Sequence, residues 1–152
     1  MVRTDSLVSY LSQSDKANDN EFRAPRHMQV VACNTALEEC IPYGYDLVGA
    51  NTVPADSTWN RKVCVIDTGY DISHGDLPTD NVTGTSFYGQ QWSVDGKSHG
   101  THVAGTIAAT ANNGKGIKGV APGVKLHIAK GLRDDGKGES YIIIEAVSMF
   151  QL

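Results

Sequence analysis

Val63-Cys64-Val65-Ile66 is an unbroken apolar run closed by Asp67-Thr68-Gly69. Continuous, as opposed to alternating, hydrophobicity predicts a central strand of a parallel sheet, covered on both faces. Residues 71–81 are loop-like, residues 82–87 form a short extended segment, and residues 90–97 form a second loop. Ser98 is a candidate N-cap for a helix from His99 to about Thr110, in which Gly100, Ala104, Gly105, Ala108 and Ala109 are all small. A glycine inside a helix costs about 1 kcal/mol against alanine, so two of them predict a second backbone packed close to a central, buried helix. After the turn-forming residues 112–119, Val124, Leu126 and Ile128 line one side of a strand over 124–130. A loop over 131–138 follows. Ile142, Ile143, Ala146, Val147 and Phe150 then recur at helical spacing, predicting an amphipathic helix from Ser140 to the chain end. Strands alternating with helices make this an α/β chain.

The amino-terminal quarter differs. Residues 1–38 are rich in Ser, Asp, Asn, Arg and Gln, with one short apolar patch at 28–32, and are expected to be a polar extension. From Ile41-Pro42-Tyr43-Gly44 the composition changes, and Tyr45, Leu47, Val48 and Ala50 predict a short helical turn ahead of a loop at 54–60. Order is expected to begin near Ile41, which divides the chain into 1–38 and 39–152.

Bulk properties narrow the classes. At 152 residues, 40% hydrophobic and 20% charged, the chain has the size and composition of one soluble domain. A net charge of −4 gives no electrostatic reason for a nucleic-acid partner. No apolar run approaches the ~20 residues of a membrane span, and no basic, apolar, small-residue leader opens the chain. Cys64, inside the apolar run, is expected to be a buried reduced thiol, while Cys33 and Cys40 could pair locally in an oxidising compartment.

The chemistry lies at the end of the apolar run. In open parallel sheets the functional crevice lies beyond the carboxyl ends of the strands, where Asp67 is expected. His99-Gly100-Thr101-His102-Val103-Ala104-Gly105 begins 32 residues later (99 − 67). A serine hydroxyl is a weak nucleophile until an imidazole takes its proton, and that imidazole needs a buried carboxylate to fix its tautomer. Asp67 and His99 are the carboxylate and base such a scheme requires.

Asp-Thr-Gly after a strand, followed by His-Gly-Thr-His-Val-Ala-Gly-Thr, resembles the subtilisin-like serine proteases, the peptidase S8 family. Ile41-Pro42-Tyr43-Gly44 is similar to the family's mature amino terminus, Ser73-His74-Gly75-Asp76-Leu77 to the stretch after its aspartate, and Gly119-Val120-Ala121-Pro122 to a further segment. The resemblance extends from Glu39 to Val147 and leaves residues 1–38 similar at most to a propeptide tail. It implies a three-layer α/β sandwich with a mostly parallel sheet, incomplete at its C-terminal end, and a secreted, monomeric endopeptidase acting on polypeptides. In chain order the nucleophile should follow Asp67 and His99 far downstream. Gly84-Thr85-Ser86 is not expected to supply it, because Ser86 precedes the histidine and is followed by Phe87-Tyr88. Ser148, in a helix at the chain end, is expected to supply it even less. The oxyanion asparagine and one substrate-gripping strand also have no counterpart here, so the chain alone is expected to be inactive. The other gripping segment is matched by Gly136-Lys137-Gly138, whose glycines would let a peptide pair edge-on. The resemblance further implies a structural calcium ion held by Asp76, by Asn112 or Asn113, and by carbonyls near Thr110 and Ile117, with Glu39 as a further ligand.

Other readings compete with these. Apolar-apolar-Asp-Thr-Gly is also the signature of aspartic proteases, in which two aspartates share a proton; Tyr70 departs from that pattern, and the His99 motif would go unexplained. A non-catalytic binding or decoy module is the rival from another class, and an unpaired sheet edge with an exposed apolar face would make the isolated chain poorly soluble. A zinc reading of His102 has no third ligand at credible spacing, so a packed helix histidine is expected there. His27, His74 and His127 have no evident partner. Asn81-Val82-Thr83 is a glycosylation sequon that matters only in a secreted protein.

Overall fold

The computed structural model describes residues 32–34, 39–53 and 61–150. Strand β1 (Ala32–Asn34) pairs antiparallel with β2 (Glu39–Ile41). The short helix α1 (Tyr43–Leu47) and a 3-10 turn (Ala50–Thr52) follow. Then come β3 (Lys62–Asp67), β4 (Val82–Ser86), α2 (His99–Ala108), β5 (Lys125–Lys130) and α3 (Ser140–Met149). Strands β3, β5 and β4 form a parallel sheet in that order, with Val65 opposite Ile128 and Gly84 opposite the same residue on the other side. The predicted propeptide segment lies mostly outside the described residues, as do the predicted loop at 54–60, His27 and the last two positions.

Two expectations about β3 change. Among the described residues β5 is the central strand and β3 lies at an edge. The apolar run is also not covered on both faces: Val65 is buried, whereas Cys64 is an exposed free thiol. An all-apolar tetrapeptide carries no alternation from which an open position could be read. Cys40 is disulfide-bonded, and the register of β1 against β2 sets Cys33 opposite it.

The core lies between the sheet and α2. Val65, Leu126 and Ile128 from the strands pack with Ala104, Ala108, Tyr70 and Leu77, so the alternation predicted for β5 holds. Small residues let α2 approach closely. A Cβ at Gly100 would overlap the Gly69 carbonyl and lie 3.1 Å from Asp67 Cβ, the backbone contact its position predicted. At Gly105 the neighbour is only the Leu77 side chain, at 3.4 Å. The helix is buried on one face only, with His102 and Thr106 exposed, so His102 is not packed as expected. On the other sheet face, α3 buries Ile142 and Ala146, whereas Val147, expected inside, is exposed.

Candidate active site

Asp67 is the last residue of β3, and His99 is the first residue of α2. The close approach at Gly100 brings these two ends together. His99 Nδ1 lies 2.8 Å from Asp67 Oδ1 and 2.9 Å from Oδ2. An ionised carboxylate only accepts, so Nδ1 carries the proton and donates it, leaving Nε2 as a bare acceptor. The side chain of Asp67 is 9% exposed and that of His99 50%, so the anion is sheltered and the ring edge faces solvent. Thr68 adds its backbone N–H to Asp67 Oδ1 at 2.7 Å. No hydroxyl among the described residues lies within hydrogen-bonding distance of His99 Nε2. Ser86 is at the end of β4, where its Oγ accepts the Tyr88 N–H at 3.4 Å, and Ser148 Oγ donates to the Ile144 carbonyl at 2.8 Å.

The support beneath this pair was not foreseen. Ser98 is in the left-handed region (φ 65°) and makes no side-chain cap. Asp95 caps the helix instead, accepting from the N–H groups of Ser98 (2.9 Å) and Thr101 (2.8 Å). Burial pushes the Asp95 carboxyl up, but hydrogen bonds from Thr101, Thr68 and Ser98 outweigh it and hold the group below its ordinary value. Lys130 ends β5 fully buried, its Nζ donating to the Thr68 carbonyl and, at 2.6 Å, to Asp134 Oδ1. An Asp three residues before a predicted cap was a readable signal for the first feature. A lysine ending a strand gave none for the second. Tyr70, which spoiled the aspartic-protease pattern, is fully buried, with its hydroxyl donating to the Pro78 carbonyl at 2.7 Å.

The segment 136–138 lies beside the loop leading to His99. Gly136 (φ 80°) closes a turn with Arg133 N–H on the Lys137 carbonyl and Gly136 N–H on the Arg133 carbonyl, both at 2.8 Å. A Cβ on Gly136 would come within 3.6 Å of Lys97 Cε, two residues from His99. Lys137 and Gly138 are exposed. At the base of this turn, Glu139 accepts from Tyr88 Oη and Arg133 Nη1, each at 2.6 Å.

A second acidic group lies at the far end of α2. Glu39 (6% exposed) and Asp76 (7%) are both buried, and neither is ion-paired among the described residues. Asn113 joins them: its Nδ2 donates to Asp76 Oδ1 at 2.9 Å, and its backbone N–H to Glu39 Oε2 at 3.2 Å. Ile117 N–H reaches Asp76 Oδ2 at 3.0 Å, and Thr110 N–H the Asp76 carbonyl at 2.9 Å. Asn112 is exposed in a left-handed conformation (φ 62°) and does not join the group. Two buried carboxylates beside a single loop are hard oxygen donors of the kind calcium takes, whereas Asn113 turns its Nδ2 to Asp76 and its Oδ1 to the Lys115 N–H at 2.9 Å, so its amide would have to turn over to join them. No cluster of three His, Cys, Asp or Glu side chains suited to a metal occurs among the described residues, so amide and carbonyl oxygens would have to complete such a site.

The fold thus joins a strand-end carboxylate to a helix-start imidazole in an α/β frame. A model of the Subtilase family matches residues 59–151. Subtilisin DY of Bacillus licheniformis is 43% identical over 112 residues, covering 72% of this chain and 40% of its own length. An intracellular serine protease of Paenibacillus polymyxa is 39% identical over 65% of this chain and 33% of its own. Among solved structures, the psychrophilic subtilisin-like protease Apa1 from the Antarctic psychrotroph Pseudoalteromonas sp. AS-11 aligns with a TM-score of 0.65 at 43% identity, over 73% of this chain and 26% of that one. The chain belongs to the subtilase family, and it spans well under half the length of these relatives.

Proposed function

We propose that Asp67 and His99 are the carboxylate and general base of a serine endopeptidase. The observation that carries this is the Nδ1–H of His99 held by both oxygens of a buried carboxylate while the imidazole itself is half exposed. A serine hydroxyl brought to Nε2 passes its proton there as its oxygen bonds to the peptide carbonyl, and the same proton then goes to the departing amine. Asp67 stabilises the imidazolium in between and does not itself take the proton. The exposed turn at 136–138 is the edge along which the peptide would lie, pairing through its backbone.

Among the described residues no hydroxyl is aimed at Nε2; an assay of residues 1–152 alone against a peptidyl anilide is expected to give no hydrolysis. Joined to the remaining length of subtilisin DY, they are expected to hydrolyse a peptidyl anilide and to be silenced by a serine-directed phosphonate. In that fusion His99→Ala should lower kcat by ~10⁶, the scale established for subtilisin itself. Cleavage that survives the phosphonate but stops with a pepstatin-type inhibitor would return the Asp67 motif to the aspartic-protease reading.

The same reading gives the loop at 110–117 a calcium ion held by Asp76, Asn113 and Glu39, with main-chain oxygens near Thr110 and Ile117 completing the shell. Binding at 100 times Kd would stabilise the fold by about 2.7 kcal/mol. Calcium should therefore raise Tm in the unaltered chain and not in Asp76→Asn, and equal Tm values with calcium and with a chelator would remove the ion from the account. The disulfide at Cys40 favours an oxidising, extracellular setting, and among the described residues no helix is long and apolar enough to cross a membrane.

A further inference from the structure

Asp95 takes five hydrogen bonds. Its Oδ1 accepts from the Thr68 hydroxyl (2.7 Å), Ser98 N–H (2.9 Å) and Lys97 N–H (3.2 Å); Oδ2 accepts from Thr101 Oγ1 (2.6 Å) and Thr101 N–H (2.8 Å). An ionised carboxylate can only accept, so both threonine hydroxyls must donate to it. Their lone pairs are then free for specific amides. Thr68 Oγ1 accepts the Gly100 N–H at 3.1 Å, and Thr101 Oγ1 accepts the Asp71 N–H at 2.9 Å.

These partners bracket the acid–base pair. Thr68 follows Asp67 and feeds its own N–H to Asp67 Oδ1, and Gly100 follows His99. The Thr68 hydroxyl is therefore a two-way link between the end of β3 and the first turn of α2, and Asp95 sets its direction. An uncharged group at 95 can donate as well as accept, which removes the constraint on both hydroxyls. The Gly100 N–H then loses a fixed acceptor beside the imidazole that Asp67 must hold. A cap for α2 alone would need only the Ser98 and Thr101 amides. The bond to Thr68, across 27 residues of sequence, is the part a capping role leaves unexplained.

We infer that Asp95, through Thr68, is a positioning residue that sets the Asp67–His99 hydrogen bond. The inference rests on the reading of Asp67 and His99 as an acid–base pair, and it places Asp95 out of contact with substrate.

The test is proton NMR on the 152-residue chain, following the His99 Nδ1–H, which a carboxylate acceptor moves far downfield and protects from exchange. Asp95→Asn and Thr68→Val should each speed its exchange about tenfold or more, the scale of one lost charge-assisted hydrogen bond. Thr68→Ser, which restores the hydroxyl, should return the exchange to that of the unaltered chain. Combining Asp95→Asn with Thr68→Val should add little to either alone, because both act through one link. Amide exchange within α2 reports whether the helix persists, which separates positioning from capping. Unchanged exchange of the His99 proton in Asp95→Asn and Thr68→Val would overturn the inference and leave the acid–base reading intact. If Asp95→Asn does not fold, the near-isosteric Thr68→Val decides. An unaltered chain with His99 protonated at Nε2 instead would overturn both together.

Discussion

The two faces of the parallel sheet are finished very differently. On the α2 side, Val65, Leu126 and Ile128 are buried against Ala104, Ala108, Tyr70 and Leu77, and the polar groups at the strand ends are tied into Asp67, Asp95 and Lys130. On the α3 side, Ile142 and Ala146 are buried, while Tyr141 and Ile144 stand about two-thirds exposed (65% and 66%) and Cys64 is open. His127 faces this side, its ring 4.7 Å from that of Phe150 and its nitrogens on the hydroxyls of Thr83 (2.9 Å) and Thr85 (3.4 Å). Ala146 is fully buried on the α3 side as well, and Gly131 sits tightly against Ile66 and Ile143, but the larger buried cluster lies on the face that carries the site. There a small error in backbone spacing changes the chemistry.

Paired truncations test this contrast most strongly. Leu126→Ala removes a fully buried side chain and should cost about 2–5 kcal/mol in urea denaturation. Ile144→Ala on α3 should stay within about 0.5 kcal/mol, the range of surface changes. Equal costs would mean the two faces are equally packed. Gly100→Ala comes next, at about 1–3 kcal/mol, because the added methyl meets the Gly69 carbonyl and the strand end must shift. Gly105→Ala, with only the flexible end of Leu77 at 3.4 Å, should cost much less. A reversal of that order, read from the same denaturation curves, would contradict the close approach at the helix start.

The smallest effect is a pH dependence with one contribution from each face. Burial, helped by Lys62, pushes the His127 imidazole below its ordinary 6.5, while hydrogen bonding holds Asp95 below its ordinary 3.8 despite burial. Both shifts are downward, so the unfolded chain binds more protons in each interval and stability falls with acid. The His127 contribution is lost as pH drops below 6.5, and that of Asp95 only below 3.8. Denaturation midpoints measured across this range should lose the upper step in His127→Gln and keep the lower one.

Much of this was legible from the chain. The alternation of Val124, Leu126 and Ile128, the small residues of α2 and the placement of Asp67 at a strand end follow from periodicity and strand geometry. Edge and face were not legible for β3, since four consecutive apolar residues look the same whether one side is open or not. For α3, Val147 shares the spacing of Ile142 and Ala146, and only the outline of the sheet beneath decides which of them is covered. The meeting of Asp67 with His99 was readable because both residues sit in motifs, whereas the contact of Asp76 with Asn113 was suggested only through the family resemblance, which left the choice between adjacent asparagines open. Asp95 and Lys130 act through tertiary contacts to the Thr68 hydroxyl and carbonyl, and such contacts leave no local pattern.

The central claim is that Asp67 fixes His99 in one tautomer, and long-range proton–nitrogen NMR of the ¹⁵N-labelled chain tests it directly. Above the pH at which the ring protonates, the account predicts a protonated Nδ1 and a bare Nε2 for His99, lost in Asp67→Ala. A proton on Nε2 in the unaltered chain would contradict it.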